Sequence, residues 1–353
     1  MSNEVKNSYT PKERLLKVLK KEKADRPPIV CIGGMMNAAI VDIMNATGHT
    51  LPEAHSDPQR MADLAMDVQA YTGFENFGIP FCMTVEAELL GSEINLGTLE
   101  CEPKIAREVF PCVDAVEFRD VLQLVHSGRI EVVTEAAHII ARKNPGIPVI
   151  ASLTGPISTA ASIIDPITFY KELRKNPDGA HKALDYVTDL LGSFAERLVA
   201  EEGATAIAVG DPSATGEILG PAMFEKFALF YLNKLADRIH ALGFPFILHI
   251  CGDLKSVRHL LPLLRCDALS TDAQISLPAL KKEFPSITTM GNVSTYALQW
   301  NNLEKIRSIT RNLVENGVDI ISPACGLSTS TKLETIRVMT DEVKNGFAKH
   351  GNS

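Results

Sequence analysis

Short apolar runs alternate with amphipathic stretches along almost the whole chain, and this repetition limits the fold more than any other feature. The runs at Pro28–Ile32, Asn76–Pro80, Pro148–Leu153, Ala204–Val209, Phe246–Ile250, Ala268–Thr271, Ile287–Met290 and Val318–Ser322 read as strands. Helical spacing of apolar positions covers about 35–44, 58–72, 129–143, 166–175, 179–201, 221–242, 254–264, 277–283, 302–316 and 332–348. Strands that alternate with helices pair in parallel, because a helix is the short way back to the start of the next strand. Roughly eight such units in 353 residues fit a closed (β/α)8 TIM barrel. An open doubly wound sheet is the second choice. Thr10-Pro11 starts a further helix carrying Leu15, Leu16, Val18 and Leu19, so 1–25 reads as a lead-in and an N-terminal helical extension. No linker rich in Pro, Gly or Ser divides the chain, and 1–353 is expected to form a single barrel domain. One stretch breaks the rhythm. Met83–Leu99 reads as an excursion, possible as a short hairpin over a barrel end, and Pro103–Pro111 as extended and loop-like.

Parallel α/β folds carry their sites at the C-terminal ends of the strands. Here those ends offer Gly155-Pro156, Asp211, His249 with Cys251, Asp272, Asn292 and Cys325. In Phe246-Ile-Leu-His-Ile-Cys-Gly-Asp253 alternate side chains share a face, so His249 and Cys251 project together, away from Leu248 and Ile250. Cys325 follows another apolar run and precedes a glycine. An imidazole and two thiolates suit zinc, and three protein ligands leave one position open, the mark of a catalytic rather than structural site. The bland alternatives are a core histidine at 249 and helix caps at Asp211, Asp253, Asp272 and Asn292.

With two thiolates the metal is close to neutral overall. A thiol taking the fourth position loses its proton and stays nucleophilic, which favours alkyl transfer to sulfur over hydrolysis. The rest of the sequence removes competing readings. It has no GxSxG elbow, no phosphate-binding glycine loop and no basic excess for nucleic acid, the net charge being -8. The seven cysteines form no compact framework, and no apolar run approaches a bilayer span, so a cytoplasmic protein without disulfides is expected.

Leu248-His-Ile-Cys-Gly252, Cys325-Gly326 and Glu86-Ala-Glu88 before Gly91 resemble the methylcobamide:coenzyme M methyltransferases, a group within the uroporphyrinogen decarboxylase superfamily of (β/α)8 barrels. Pro11–Leu15, Pro52–His55, Gly210–Pro212 and Gly291-Asn292 extend the resemblance over nearly the whole chain. It implies a Zn2+ held by His249, Cys251 and Cys325, which activates the thiol of coenzyme M. It also implies a methyl group delivered by a partner corrinoid protein, with cob(I)amide left behind. Asp211 then matches a substrate-positioning residue at the barrel mouth, and Asp272, Asn292 and Glu86 are expected to contact substrate. The chain has no Asp-x-His-x-x-Gly corrinoid motif, so the corrinoid belongs to the partner. The decarboxylase branch fits less well, because Cys31–Asn37 lacks the arginines that hold a polycarboxylate. Lys332 stands where the family pattern often has proline, which leaves another thiol or tetrahydrofolate as alternative acceptors.

Overall fold

A computed structural model describes residues 9–201 and 203–350; the first part of the lead-in lies outside these. Among the described residues eight strands are formed: β1 Phe77–Ile79, β2 Glu93–Asn95, β3 Lys104–Arg107, β4 Val149–Thr154, β5 Ala206–Gly210, β6 Phe246–Ile250, β7 Ala268–Thr271 and β8 Thr289–Met290. β1, β4, β5, β6, β7 and β8 make one parallel sheet in that order. Two further segments complete the ring. Ile320 bridges to Met290, Ile321 bridges to Ile29, and Glu75 N donates to Ile29 O across the last gap. The result is the closed (β/α)8 barrel, with helices packed around it.

Strand alternation divides the apolar residues into two cores. Val30, Ile32, Ile150, Ala206, Ala208, Ile247, Ala268, Met290 and Ile320 fill the barrel interior. Their neighbours Ile29, Ala151, Ile207, Leu248, Ile250 and Leu269 face the helices and join the larger outer core. This parity matters for function: the face that carries Ile247 also carries His249 and Cys251.

The helix Pro11–Leu19 is more than a lead-in. Thr10 and Glu13 cap it reciprocally, and Leu15 and Leu19 enter the interior core as the plug at the N-terminal end of the barrel. Burying each leucine contributes about 1.5–3 kcal/mol. Below them Arg14 and Arg26 converge on the buried carboxylate of Glu75, at 2.8 and 2.6 Å. Asp25 holds the other side of Arg14 at 2.7 Å.

Five departures from the expected elements have identifiable causes. The helix expected over 35–44 is a 3-10 turn at Gly34–Met36 and a helix at Val41–Thr47. Asn37 interrupts it by bonding Gly34 O and Phe81 O with its side chain. The helix expected to begin at Pro221 begins at Gly216, kinks at Gly220 and passes through wide turns at Phe224–Leu229 before Phe230–Ala241. The stretch 254–264 is a 3-10 helix, Lys255–Leu263, with Pro262 inside it. The helix Pro156–Ile163 was not expected, because Pro-Ile-Ser-Thr-Ala-Ala-Ser-Ile shows no amphipathic stripe. Finally, 103–111 is not simply a loop: Lys104–Arg107 pairs antiparallel with Glu93–Asn95, so the excursion over the barrel end is a real hairpin. Among the described residues no helix is long and apolar enough to cross a membrane.

Candidate metal centre

β6 ends at Ile250, and the two inward side chains at its tip are His249 and Cys251. His249 is fully buried, and its Nε2 lies 3.0 Å from Cys251 Sγ. Cys325 arrives on the turn that follows the last barrel segment, and its Sγ lies 3.3 Å from Cys251 Sγ. The three donor atoms lie within 4.8 Å of one another. Gly326 makes this approach possible. A Cβ there would sit 2.5 Å from Met35 O, so a side chain would push the cysteine turn off the barrel mouth.

The donor set fits a tetrahedral metal. Bond lengths of about 2.3 Å to sulfur put two thiolates about 3.8 Å apart around zinc, so the two thiols need to part by only a few tenths of an ångström. A neighbouring strand fixes the imidazole. Ser270 is in register with His249, and its Oγ lies 2.9 Å from His249 Nδ1, which leaves Nε2 facing the thiols. Donation from Cys251, then His249, pulls the Cys325 thiol well below its ordinary range. Cys251 is pushed up, first because it is the donor and then by burial.

The other expected site residues divide. Asp272 stands at the mouth and acts electrostatically on Cys251. One of its carboxylate oxygens accepts from Gln274 N at 3.0 Å. Asn292 is buried and braces this loop: its Nδ2 donates to Asp272 O at 2.9 Å and to Ile275 O at 2.8 Å. Both donors of its amide are therefore committed inside the protein rather than to a substrate. Glu86 is buried too, and its oxygens accept from Thr154 N at 2.8 Å and Thr154 Oγ1 at 3.0 Å, tying the excursion to the tip of β4. Burial pushes its carboxyl pKa up.

Asp211 has neither a solvent face nor a spare oxygen. It accepts from Ile157 N at 3.0 Å, Ser158 N at 2.9 Å and Ser158 Oγ at 2.6 Å, so it caps the helix Pro156–Ile163 of the preceding unit. Burial raises its pKa to about 6 against these bonds. Gly155 is required beside it, since a Cβ there would lie 2.4 Å from the Asp211 side chain. Asp211→Ala would leave two buried N–H groups and a hydroxyl without their acceptor, at a cost of about 2–4 kcal/mol. Urea unfolding would show this as a lower midpoint at unchanged slope. A midpoint equal to that of the parent would mean that the cap contributes nothing.

Two site residues were absent from the sequence reading. Ser270 shares a face with Ala268 and Asp272, so the alternation that found Cys251 could have found it. Glu102 had no signal. The hairpin brings it within electrostatic reach of Cys325, and burial first, then the Cys325 charge, pushes its carboxyl pKa up.

Known proteins are similar to this chain over nearly its whole length. A family model described as uroporphyrinogen decarboxylase (URO-D) matches residues 10–346. The methylcobamide:CoM methyltransferase MtbA of Methanosarcina acetivorans is 32% identical over 96% of this chain and 98% of its own length. The methylcobamide:CoM methyltransferase MtaA of Methanosarcina barkeri (strain Fusaro) is 30% identical over 94% and 97%. A solved methyltransferase from Methanosarcina mazei superposes with a TM-score of 0.90 at 30% identity, covering 96% of this chain and 99% of that one.

Proposed function

This chain belongs to the uroporphyrinogen decarboxylase family, in its methylcobamide:coenzyme M methyltransferase branch, and from that membership and the donor set at the barrel mouth we propose that it moves a methyl group from a methylated corrinoid to the thiol of coenzyme M. The observation that carries this reading is the convergence of His249, Cys251 and Cys325 within 4.8 Å. One imidazole and two thiolates are soft donors that select zinc over hard cations. A zinc ion held by these three residues supplies the acidity that turns a thiol into a thiolate at neutral pH.

The work of the chain is to place that sulfur. Ser270 holds the His249 ring, and Gly326 lets Cys325 close the triangle. In the transfer, an S–C bond forms as the Co–C bond breaks, and the electron pair stays on cobalt as cob(I)amide. The proton of the thiol leaves to solvent at the mouth, where Asp272 and Glu102 stand. The donor is presented by a separate corrinoid protein that docks at the C-terminal face of the barrel, since this chain has no corrinoid-ligating motif of its own. This docking uses the same face as the loops that carry the metal ligands.

The test is metal analysis together with a thiol-dependent assay. Protein purified without added metal should carry about one zinc per chain. It should demethylate methylcobalamin, followed by the spectral change to cob(I)alamin, only when coenzyme M is present. Demethylation by metal-free protein, or at the same rate without a thiol, would overturn the reading.

A further inference from the structure

A small, partly enclosed cavity lies inside the barrel mouth, bordered by the candidate ligand His249. His249 forms part of its wall, with Ser152, Gly33-Gly34 and Gly210, and the side chains of Met35, Met36 and Met83 crowd it. It has about 10 Å³ of free volume, room for about one water. Ser152 lies two residues beyond the inward-facing Ile150, so its side chain also points inward. Its Oγ is buried and has no hydrogen-bond partner within the protein. The inward hydroxyls of the next layer up are already committed, Ser270 to His249 and Thr154 to Glu86.

We propose that Ser152 holds the polar tail of the acceptor thiol, in the space now filled by Met35 and Met83. The proposal rests on the methyl-transfer reading and specifies where the second substrate lies. A corrinoid protein is too large to enter the barrel, so the methyl carbon meets the acceptor sulfur from outside. The rest of the acceptor must then point away from the donor, which from the tip of β6 means inward. Below the sulfur, the space bordered by His249 is this cavity. An anionic tail buried there needs a hydrogen-bond donor, and a donor left without a partner is costly for the empty protein. Ser152 and such a tail supply each other. Arg129 is already committed to Glu88, Thr84 Oγ1 and Cys82 Sγ, and Glu86 to Thr154, which leaves Ser152 as the group that addresses the tail.

The methionines make entry possible. If Gly210 had a Cβ, Met35 Sδ would be 3.7 Å and Met83 Cε 3.9 Å away, so these two side chains lie across the cavity rather than inside the packed core. An unbranched thioether can swing aside without breaking a hydrogen bond.

The experiment compares the zinc-loaded parent with Ser152→Ala by calorimetric titration of coenzyme M and of ethanethiol, which lacks the acidic end. The KM for each thiol in methylcobalamin demethylation is measured in parallel. The expected result is a Kd and KM for coenzyme M raised about tenfold or more, as for loss of a hydrogen bond to a charged group. Affinity for ethanethiol, zinc content and melting temperature should remain those of the parent. Coenzyme M binding to Ser152→Ala within twofold of the parent overturns the proposal alone, as does equal weakening for both thiols. A zinc-loaded parent that binds no coenzyme M overturns the methyl-transfer reading and this proposal with it.

Discussion

Cys325→Ala should abolish stoichiometric zinc and lower the coenzyme M-dependent demethylation rate by on the order of 10³-fold. The size follows from two losses. A free thiol near pKa 8.5 is only a few per cent ionised at pH 7, so losing metal activation costs roughly 30-fold. Losing the fixed position of the sulfur against the incoming methyl costs at least tens-fold more. Cys251→Ala should match it, and the double variant should be little worse than either, because each substitution already breaks the same three-donor set. Cys325→Ser tests the chemistry rather than the shape. It keeps the volume but offers a hard hydroxyl in place of a soft thiolate, so it should hold zinc poorly. Folding should survive, since both cysteines are only half-buried and neither is part of a disulfide. The checks are zinc per chain by elemental analysis and the rate of cob(I)alamin appearance. A Cys325→Ala protein with one zinc per chain and the parent rate would remove this residue from the centre.

Glu75→Ala, far from the chemistry, should be the most destabilising single change. Its side chain is 5% exposed and accepts from Arg14 and Arg26 at once, and it also accepts from Ile29 N at 3.2 Å. Deleting one member of a buried ionic cluster leaves charge that neither water nor protein stabilises, at a cost of about 3–5 kcal/mol. The loss also reaches the closure of the barrel. Ile29 stands at the seam between the first and last segments, and Arg14 belongs to the helix whose Leu15 and Leu19 plug the bottom. Glu75→Gln keeps the bond to Ile29 N but not the charge, and should recover part of the loss. Urea unfolding gives the comparison. A Glu75→Ala midpoint equal to that of the parent, at the same slope, would show that the Glu75 carboxylate contributes nothing to stability.

The same two regions show how far a sequence can be read. Leu15 and Leu19 were visible as an apolar stripe on a short helix, but the stripe has no address; only barrel closure supplies the open end that it seals. At the barrel mouth, His249 and Cys251 were legible as a pair, and Cys325 as a third thiol at a strand end. Asp211 was recognisable as a strand-end carboxylate with two possible roles. The three donors it satisfies come from residues 157 and 158, more than fifty positions earlier, so its work as a cap of another unit could not be seen from its own loop. Glu102 was hidden in a segment whose pairing depends on where the barrel end lies. Ser152 looked like any small residue in a buried strand until the cavity beside it was in view.

What the sequence determined by itself is therefore local and periodic. Apolar runs alternating with amphipathic ones require a parallel sheet covered by helices, and the two-residue period of a strand places His249 and Cys251 on one face, whatever lies around them. The tertiary structure decided which distant residues meet. Closing the ring brings Cys325 to 3.3 Å from a thiol 74 positions away, sets Ser270 beside His249, turns Asp211 to the terminus of a neighbouring helix and lays Met35 across the barrel mouth. These contacts depend on the order and register of strands around the barrel, and that order is set by the burial of two whole cores, a sum over the entire chain that no single stretch of sequence contains.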